Sequence, residues 1–155
     1  MDNLRDDYQL LFLHIRLDHV KALLDPTVAY APLRLLVLSG PGTGKTRATQ
    51  TAVQEIKRLL LAAGVPASFV KIAAPTGCAA FNRRFNATTI HRLIRYFNVA
   101  GWSTVVNDKE LARLQKSFSA TQLLLFAEVS MIGGQLMGKI DSRLEQAKAG
   151  QMTGR

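Results

Sequence analysis

Between Leu33 and Ala63 the sequence changes character twice in a way few folds accommodate. Leu33-Arg34-Leu35-Leu36-Val37-Leu38 is a nearly continuous apolar run of strand length, the pattern of a strand covered on both faces in a parallel sheet. It gives way to the glycine-rich stretch Ser39-Gly40-Pro41-Gly42-Thr43-Gly44-Lys45-Thr46. Ala48, Ala52, Ile56, Leu59, Leu60 and Ala63 then recur at helical spacing, with Gly64 and Pro66 as stop signals. A strand, a glycine turn and a helix in that order open a parallel α/β unit, because parallel neighbours are joined only by crossovers that return over the sheet.

Further along, residues Ser68 to Ala73 read as a second strand and Pro75-Thr76-Gly77 as a turn. Cys78 to Arg83 and Thr89 to Phe97 read as short helices, the second capped by Thr88 or Thr89. Asn98 to Asn107 is expected to be a loop, Asp108 to Phe118 a helix, Leu123 to Phe126 a short strand and Gln135 to Lys148 a closing helix. A helix over residues 6 to 24, with Tyr8, Leu11, Phe12, Ile15, His19 and Leu23 on one stripe, precedes the first strand and stops at Asp25-Pro26. This alternation predicts a doubly wound, mostly parallel sheet flanked by helices, one domain over residues 1–149 with a frayed tail at 150–155.

The stretch Gly40-Pro41-Gly42-Thr43-Gly44-Lys45-Thr46 is read against the P-loop pattern G-x-x-x-x-G-K-[ST]. Glycines let consecutive backbone N–H groups turn inward, and with the start of the next helix they make a concave anion site. Lys45 then supplies a mobile charge for the β- and γ-phosphates, and the Thr46 hydroxyl a ligand for Mg²⁺. A dinucleotide fingerprint G-x-G-x-x-G is not satisfied, since Lys45 stands where its third glycine belongs. The run Leu123-Leu124-Leu125-Phe126-Ala127-Glu128 ends in the one acid expected at the end of a second strand, where Glu128 would polarise an attacking water and help hold the metal. Ala127 stands where such sites usually carry Asp. A methyl group cannot accept a hydrogen bond from metal-bound water, so hydrolysis is expected to be weak while triphosphate binding is kept.

The formal charge is +9, with a pI near 10.2. From Lys71 to Asn107 the sequence holds Lys71, Arg83, Arg84, Arg92 and Arg95 and no acidic residue. Such a bias suits a polyanion, because each phosphate contacted releases counterions, although a solvated basic face has the same composition. No apolar run approaches membrane-spanning length and the first residues are polar and acidic, so an intracellular protein without membrane contact is expected. The single cysteine, Cys78, forms no internal disulfide and reads as a small buried residue.

Three blocks together resemble the superfamily-one DNA helicases of the petite integration frequency (PIF) family and the related Helitron helicases. They are Leu38 to Thr46; Ala73-Ala-Pro-Thr-Gly-Cys-Ala-Ala-Phe-Asn82 with Ala87-Thr-Thr-Ile-His-Arg-Leu93; and Leu124 to Gly133 running into Gly138-Lys-Ile-Asp-Ser-Arg-Leu144. The resemblance spans Leu4 to Leu144, and the middle block is its discriminating part. It implies the first motor domain of an ATP-driven DNA helicase, with ATP and Mg²⁺ as cofactors and single-stranded DNA as partner. It also implies roles in DNA repair, recombination and telomere maintenance, in the nucleus or the mitochondrion.

On that resemblance Gly40, Pro41, Gly42, Thr43, Gly44, Lys45 and Thr46 hold the nucleotide, Gln9 contacts adenine, and Lys45 and Glu128 are catalytic. Thr76, Gly77, Phe81, Asn82, Thr89 and His91 face the DNA strand, where an aromatic can stack on any base. Arg83 and Arg84 depart from the family's small residues. The chain stops at Arg155, ahead of a Gly-Asp-x-x-Gln motif, a second motor domain and an arginine finger, so an incomplete motor is expected. A nucleotide-dependent DNA-binding module without turnover is the alternative. A small P-loop kinase would need an arginine-rich lid after Glu128, where only Arg143 and Arg155 follow.

Overall fold

The computed structural model describes residues 17–22, 24–25, 27, 33–38, 40, 42–83, 86–96 and 107–152. They belong to two compact units, Met1–Ala67 and Ser68–Arg155.

In the first unit, residues 17–22 are helical, in line with the expected leading helix, and helix α1 spans Lys45–Ala62. Ala52, Val53, Ile56 and Leu60 are buried, so the helical spacing in the sequence is the spacing of the buried stripe. The helix ends where Gly64 takes φ 68°, a left-handed conformation that costs a glycine nothing sterically. The Val65 N–H then bonds the Leu60 carbonyl at 2.9 Å and the Gly64 N–H that of Leu61 at 3.1 Å.

The strand expected over Leu33–Leu38 is not formed. Residues 33–38 take no regular secondary structure, and Leu36 and Leu38 are 61% and 77% exposed. An apolar run gives a segment reason to be covered, but a strand exists only through ladder bonds to neighbours. Among the described residues, no strand partners this segment.

The second unit holds a three-stranded parallel sheet of β1 (Val70–Ala74), β2 (Thr88–Thr89) and β3 (Leu123–Phe126) in the order β2-β1-β3. Val70 pairs with Leu123 and Ala73 with Phe126 on one side; Ala73 pairs with Thr88 and Ala74 with Thr89 on the other. Helix α2 (Gly77–Arg83) makes the crossover from β1 to β2. Helices α3 (Ile90–Leu93) and α4 (Asp108–Phe118) lie between β2 and β3 in sequence, and α5 (Gly134–Met152) closes the described chain. Ala73, Ile90, Leu93, Ile94, Leu114, Phe118, Ile140 and Ala147 form one core cluster, so α3, α4 and α5 pack together over one face of β1.

Several boundaries differ from the sequence reading for local reasons. A 3₁₀ turn, Ala67–Phe69, occupies the first residues of the expected second strand, which begins at Val70. The expected helix Thr89–Phe97 is only Ile90–Leu93, because Thr88 and Thr89 join the sheet and Arg95 adopts φ 54°. The expected frayed tail is helical through Met152. Helix α4 has the predicted bounds: the Asn107 side chain accepts from the Glu110 N–H at 2.9 Å, and Asp108 and Glu110 sit favourably in its first turn. The loop at 98–106, Gln9, Pro41 and Arg84 lie outside the described residues.

Candidate functional site

The glycine loop runs directly into α1. Gly42 and Gly44 have φ 72° and 87°, the left-handed region in which a β-carbon is strained, and Gly44 is the residue that caps the helix. The Gly40 carbonyl accepts from the Thr43 hydroxyl at 2.9 Å and from the Lys45 ammonium at 2.6 Å. Lys45 is thus folded back over the loop that it would serve, and Thr46 is exposed in the first turn of the helix. Strictly counted, the first glycine of G-x-x-x-x-G-K-[ST] falls on Ser39, so Gly40 is one position late. The phosphate-loop reading therefore rests on Gly44-Lys45-Thr46, on the left-handed glycines, and on a helix that begins at Lys45.

A family model described as an AAA domain matches residues 27–152. The chain belongs to the AAA domain family. No curated protein and no solved structure matches it. Membership makes the chain a nucleotide-binding P-loop domain of α/β architecture.

In the second unit of this AAA domain, the ends of the three parallel strands carry the remaining candidates. Open parallel sheets bind ligands at the carboxyl ends of their strands, where the chain leaves the ladder in loops. After β1 come Thr76 and Gly77, both exposed, and the Thr76 hydroxyl accepts from the Ala79 N–H at 3.2 Å as it opens α2. Phe81 on α2 is 83% exposed and so lies outside the core, and Asn82 beside it is exposed too. Cys78 is also exposed rather than buried.

After β2, Thr89 caps α3 by accepting from the Arg92 N–H at 3.3 Å. A hydroxyl that accepts in this way keeps its own O–H as a donor, so Thr76 and Thr89 can cap a helix and donate to an anion together. His91 follows, exposed, with its ring stacked on Tyr96 at 5.5 Å between centroids. Lys139 from α5 donates to the Tyr96 hydroxyl at 3.2 Å, with its ammonium 4.6 Å from the centre of that ring. Neither Tyr96 nor Lys139 was singled out from the sequence. Only the position of Tyr96 inside the acid-free stretch gave a hint, and a contact across 43 positions leaves no local pattern.

After β3, Ala127 donates its N–H to the Ala73 carbonyl at 2.9 Å and is only 8% exposed. It packs with Ala74 and Ala80, flanked by Ala79 and Ala87. Glu128 is exposed and holds φ 52°, ψ 47°, a conformation that non-glycine residues visit rarely. The two acidic-motif positions therefore have opposite environments: a sealed methyl and a solvent-facing carboxylate.

Among the described residues, no group of three or more His, Cys, Asp or Glu side chains could hold a metal by itself. No described helix is long and apolar enough to cross a membrane. Arg143 is 6% exposed and donates to the Gln146 side chain at 2.7 Å, so it is no arginine of a mobile lid, and the kinase alternative loses that support.

Proposed function

We propose that this AAA domain is the ATP-binding part of a DNA helicase motor of the PIF type, holding ATP-Mg²⁺ on the glycine loop and single-stranded DNA at the strand ends of its sheet. The observation that carries the reading is the sharing of one sheet edge. Thr76 and Gly77 leave β1, Thr89 ends β2 with His91 just beyond it, and Glu128 follows β3, all at the carboxyl ends of parallel strands, while Phe81 and Asn82 lie further along α2. A strand seated on the first two loops would lie on the same edge as the proposed catalytic base, an arrangement suited to DNA-stimulated hydrolysis.

Each group has a physical task in this reading. The backbone amides of the loop and the start of α1 receive the phosphates, Lys45 moves from the Gly40 carbonyl to the β- and γ-phosphates, and Thr46 joins the coordination of Mg²⁺. Held there with the nucleotide, Mg²⁺ would supply charge neutralisation at the phosphates. Glu128 orients and deprotonates the attacking water. Phe81 offers a face for a base, and the hydroxyls of Thr76 and Thr89 donate to backbone phosphates.

The sealed environment of Ala127 favours a second reading, a nucleotide-dependent DNA-binding module with no turnover. The test is Mg²⁺-dependent phosphate release with excess ATP, with and without single-stranded DNA, on this chain, on Lys45→Ala and on Glu128→Gln. DNA-stimulated release that disappears in both variants supports the motor. Nucleotide and DNA binding without release, with nucleotide binding lost in Lys45→Ala, supports the module. Phosphate release unchanged by Lys45→Ala would sink both.

A further inference from the structure

We propose that His91, Tyr96 and Lys139 form one seat on the path of the single strand, with a base lying on the exposed face of the His91–Tyr96 stack and its neighbouring phosphate held by Lys139. The inference rests on the DNA-binding reading above and adds two residues to it. It starts from the way the cluster is built. His91 is exposed while Tyr96 behind it is half-buried, so the stack shows solvent a ring face backed by a ring that packs on the core. A ring held from behind loses little freedom when a base stacks on it, which is what makes a platform effective.

Lys139 brings charge to the same place from another element. Its ammonium is held over the Tyr96 ring at 4.6 Å and by the tyrosine hydroxyl at 3.2 Å, so the cation is fixed beside the ring instead of sweeping through solvent. The surroundings leave that field positive. Arg92 is exposed next to His91, and Arg95 lies next to Tyr96. The carboxylate that Arg95 meets, Glu110 at 2.7 Å, also takes Arg113 at 2.7 Å, so it faces two cations. Thr89, two residues before His91, already belongs to the proposed strand path. The bland explanation is that Lys139 and Tyr96 merely tie α5 to the end of α3. A tie of that kind gives no reason for an exposed histidine to cover the ring.

The experiment measures binding of a fluorescent oligo-dT strand to the full chain by anisotropy, across a salt series, with thermal unfolding run alongside. Lys139→Met is expected to weaken binding and to flatten the dependence of log affinity on log salt by about 0.7, the share of one phosphate on a single strand. His91→Ala and Tyr96→Leu are expected to weaken it roughly five- to a hundred-fold with little change in that slope, as loss of one stacked base does. Tyr96→Phe, which keeps the ring, should retain most of the affinity.

Lys57→Met, on α1, is the charge control and should leave the slope unchanged. The proposal is overturned if Lys139→Met lowers the unfolding temperature but leaves the slope alone, or if Lys57→Met flattens it equally. It also falls, with the DNA-binding reading intact, if Phe81→Ala abolishes binding while the His91, Tyr96 and Lys139 variants bind normally. Failure of the unaltered chain to bind oligo-dT while it still binds ATP overturns both together.

Discussion

Restoring an acid at position 127 is the obvious repair of the second motif, and the structure says that the repair carries a cost. Ala127 is 8% exposed, its methyl packs among Ala74, Ala80, Ala79 and Ala87, and its N–H is committed to the Ala73 carbonyl. A larger side chain must push these neighbours apart, at about 1–3 kcal/mol for overpacking. A buried polar group left without a partner adds about 1–3 kcal/mol, and a carboxylate more than a neutral amide. Ala127→Asn should therefore cost the sum, roughly 2–6 kcal/mol, a fall in unfolding temperature of roughly 5–20 °C for a chain of this size, and Ala127→Asp more.

The sign of the pH effect separates the two variants. Burial raises the folded-state pKa of an introduced Asp above its unfolded value, so the folded chain binds more protons in that interval. The aspartate variant should regain stability as pH falls through the raised value, while the asparagine variant should not. Thermal unfolding of both from neutral to mildly acid pH, without nucleotide or Mg²⁺, is the assay. If Ala127→Asp is as stable as the unaltered chain, or if the two variants track each other at every pH, the sealed alanine cluster is the wrong description of this site.

Two other outcomes follow from local geometry. Hydrogen bonds from Arg113 and Arg95 hold the Glu110 carboxyl below its ordinary range, so its contribution is present at neutral pH and is lost as pH falls through that range and below. Glu110→Gln should therefore lower the urea midpoint at pH 7 and converge with the unaltered chain in acid; a constant gap at both would refute the ion-pair account. Gly44→Ala places a β-carbon at φ 87°, costing about 1–2 kcal/mol, and should weaken binding of a fluorescent ATP analogue along with stability, whereas unchanged binding would show that the loop does not need this conformation.

Much of the fold was legible in the sequence where the signal is local. Helix α4 was expected over Asp108 to Phe118 and β3 from an unbroken apolar tetrapeptide; both have the expected bounds, and the Asn107 cap that fixes the start of α4 came from the structure. Helix α1 likewise begins at the expected lysine, because a glycine turn and a helical stripe meet there. The same apolar signal misled at Leu33–Leu38. Hydrophobicity says that a segment prefers cover, but not which neighbour supplies the ladder.

By itself, then, the sequence determined an α/β chain with a phosphate loop, matched over residues 27–152 by the AAA domain family, and it offered Lys45, Thr46 and Glu128 as candidates to act on a nucleotide. These are readings of a few adjacent residues, where glycine freedom, a helix start and an isolated acid leave a local pattern. Only the tertiary structure decided which side chains are offered to solvent and which are closed. It exposed Phe81, sealed Ala127 among alanines, buried Arg143, and brought Lys139 onto Tyr96 and His91. Exposure and long-range contact depend on how helices cross a sheet, and that is fixed by packing between segments far apart in the chain rather than by any spacing within one of them.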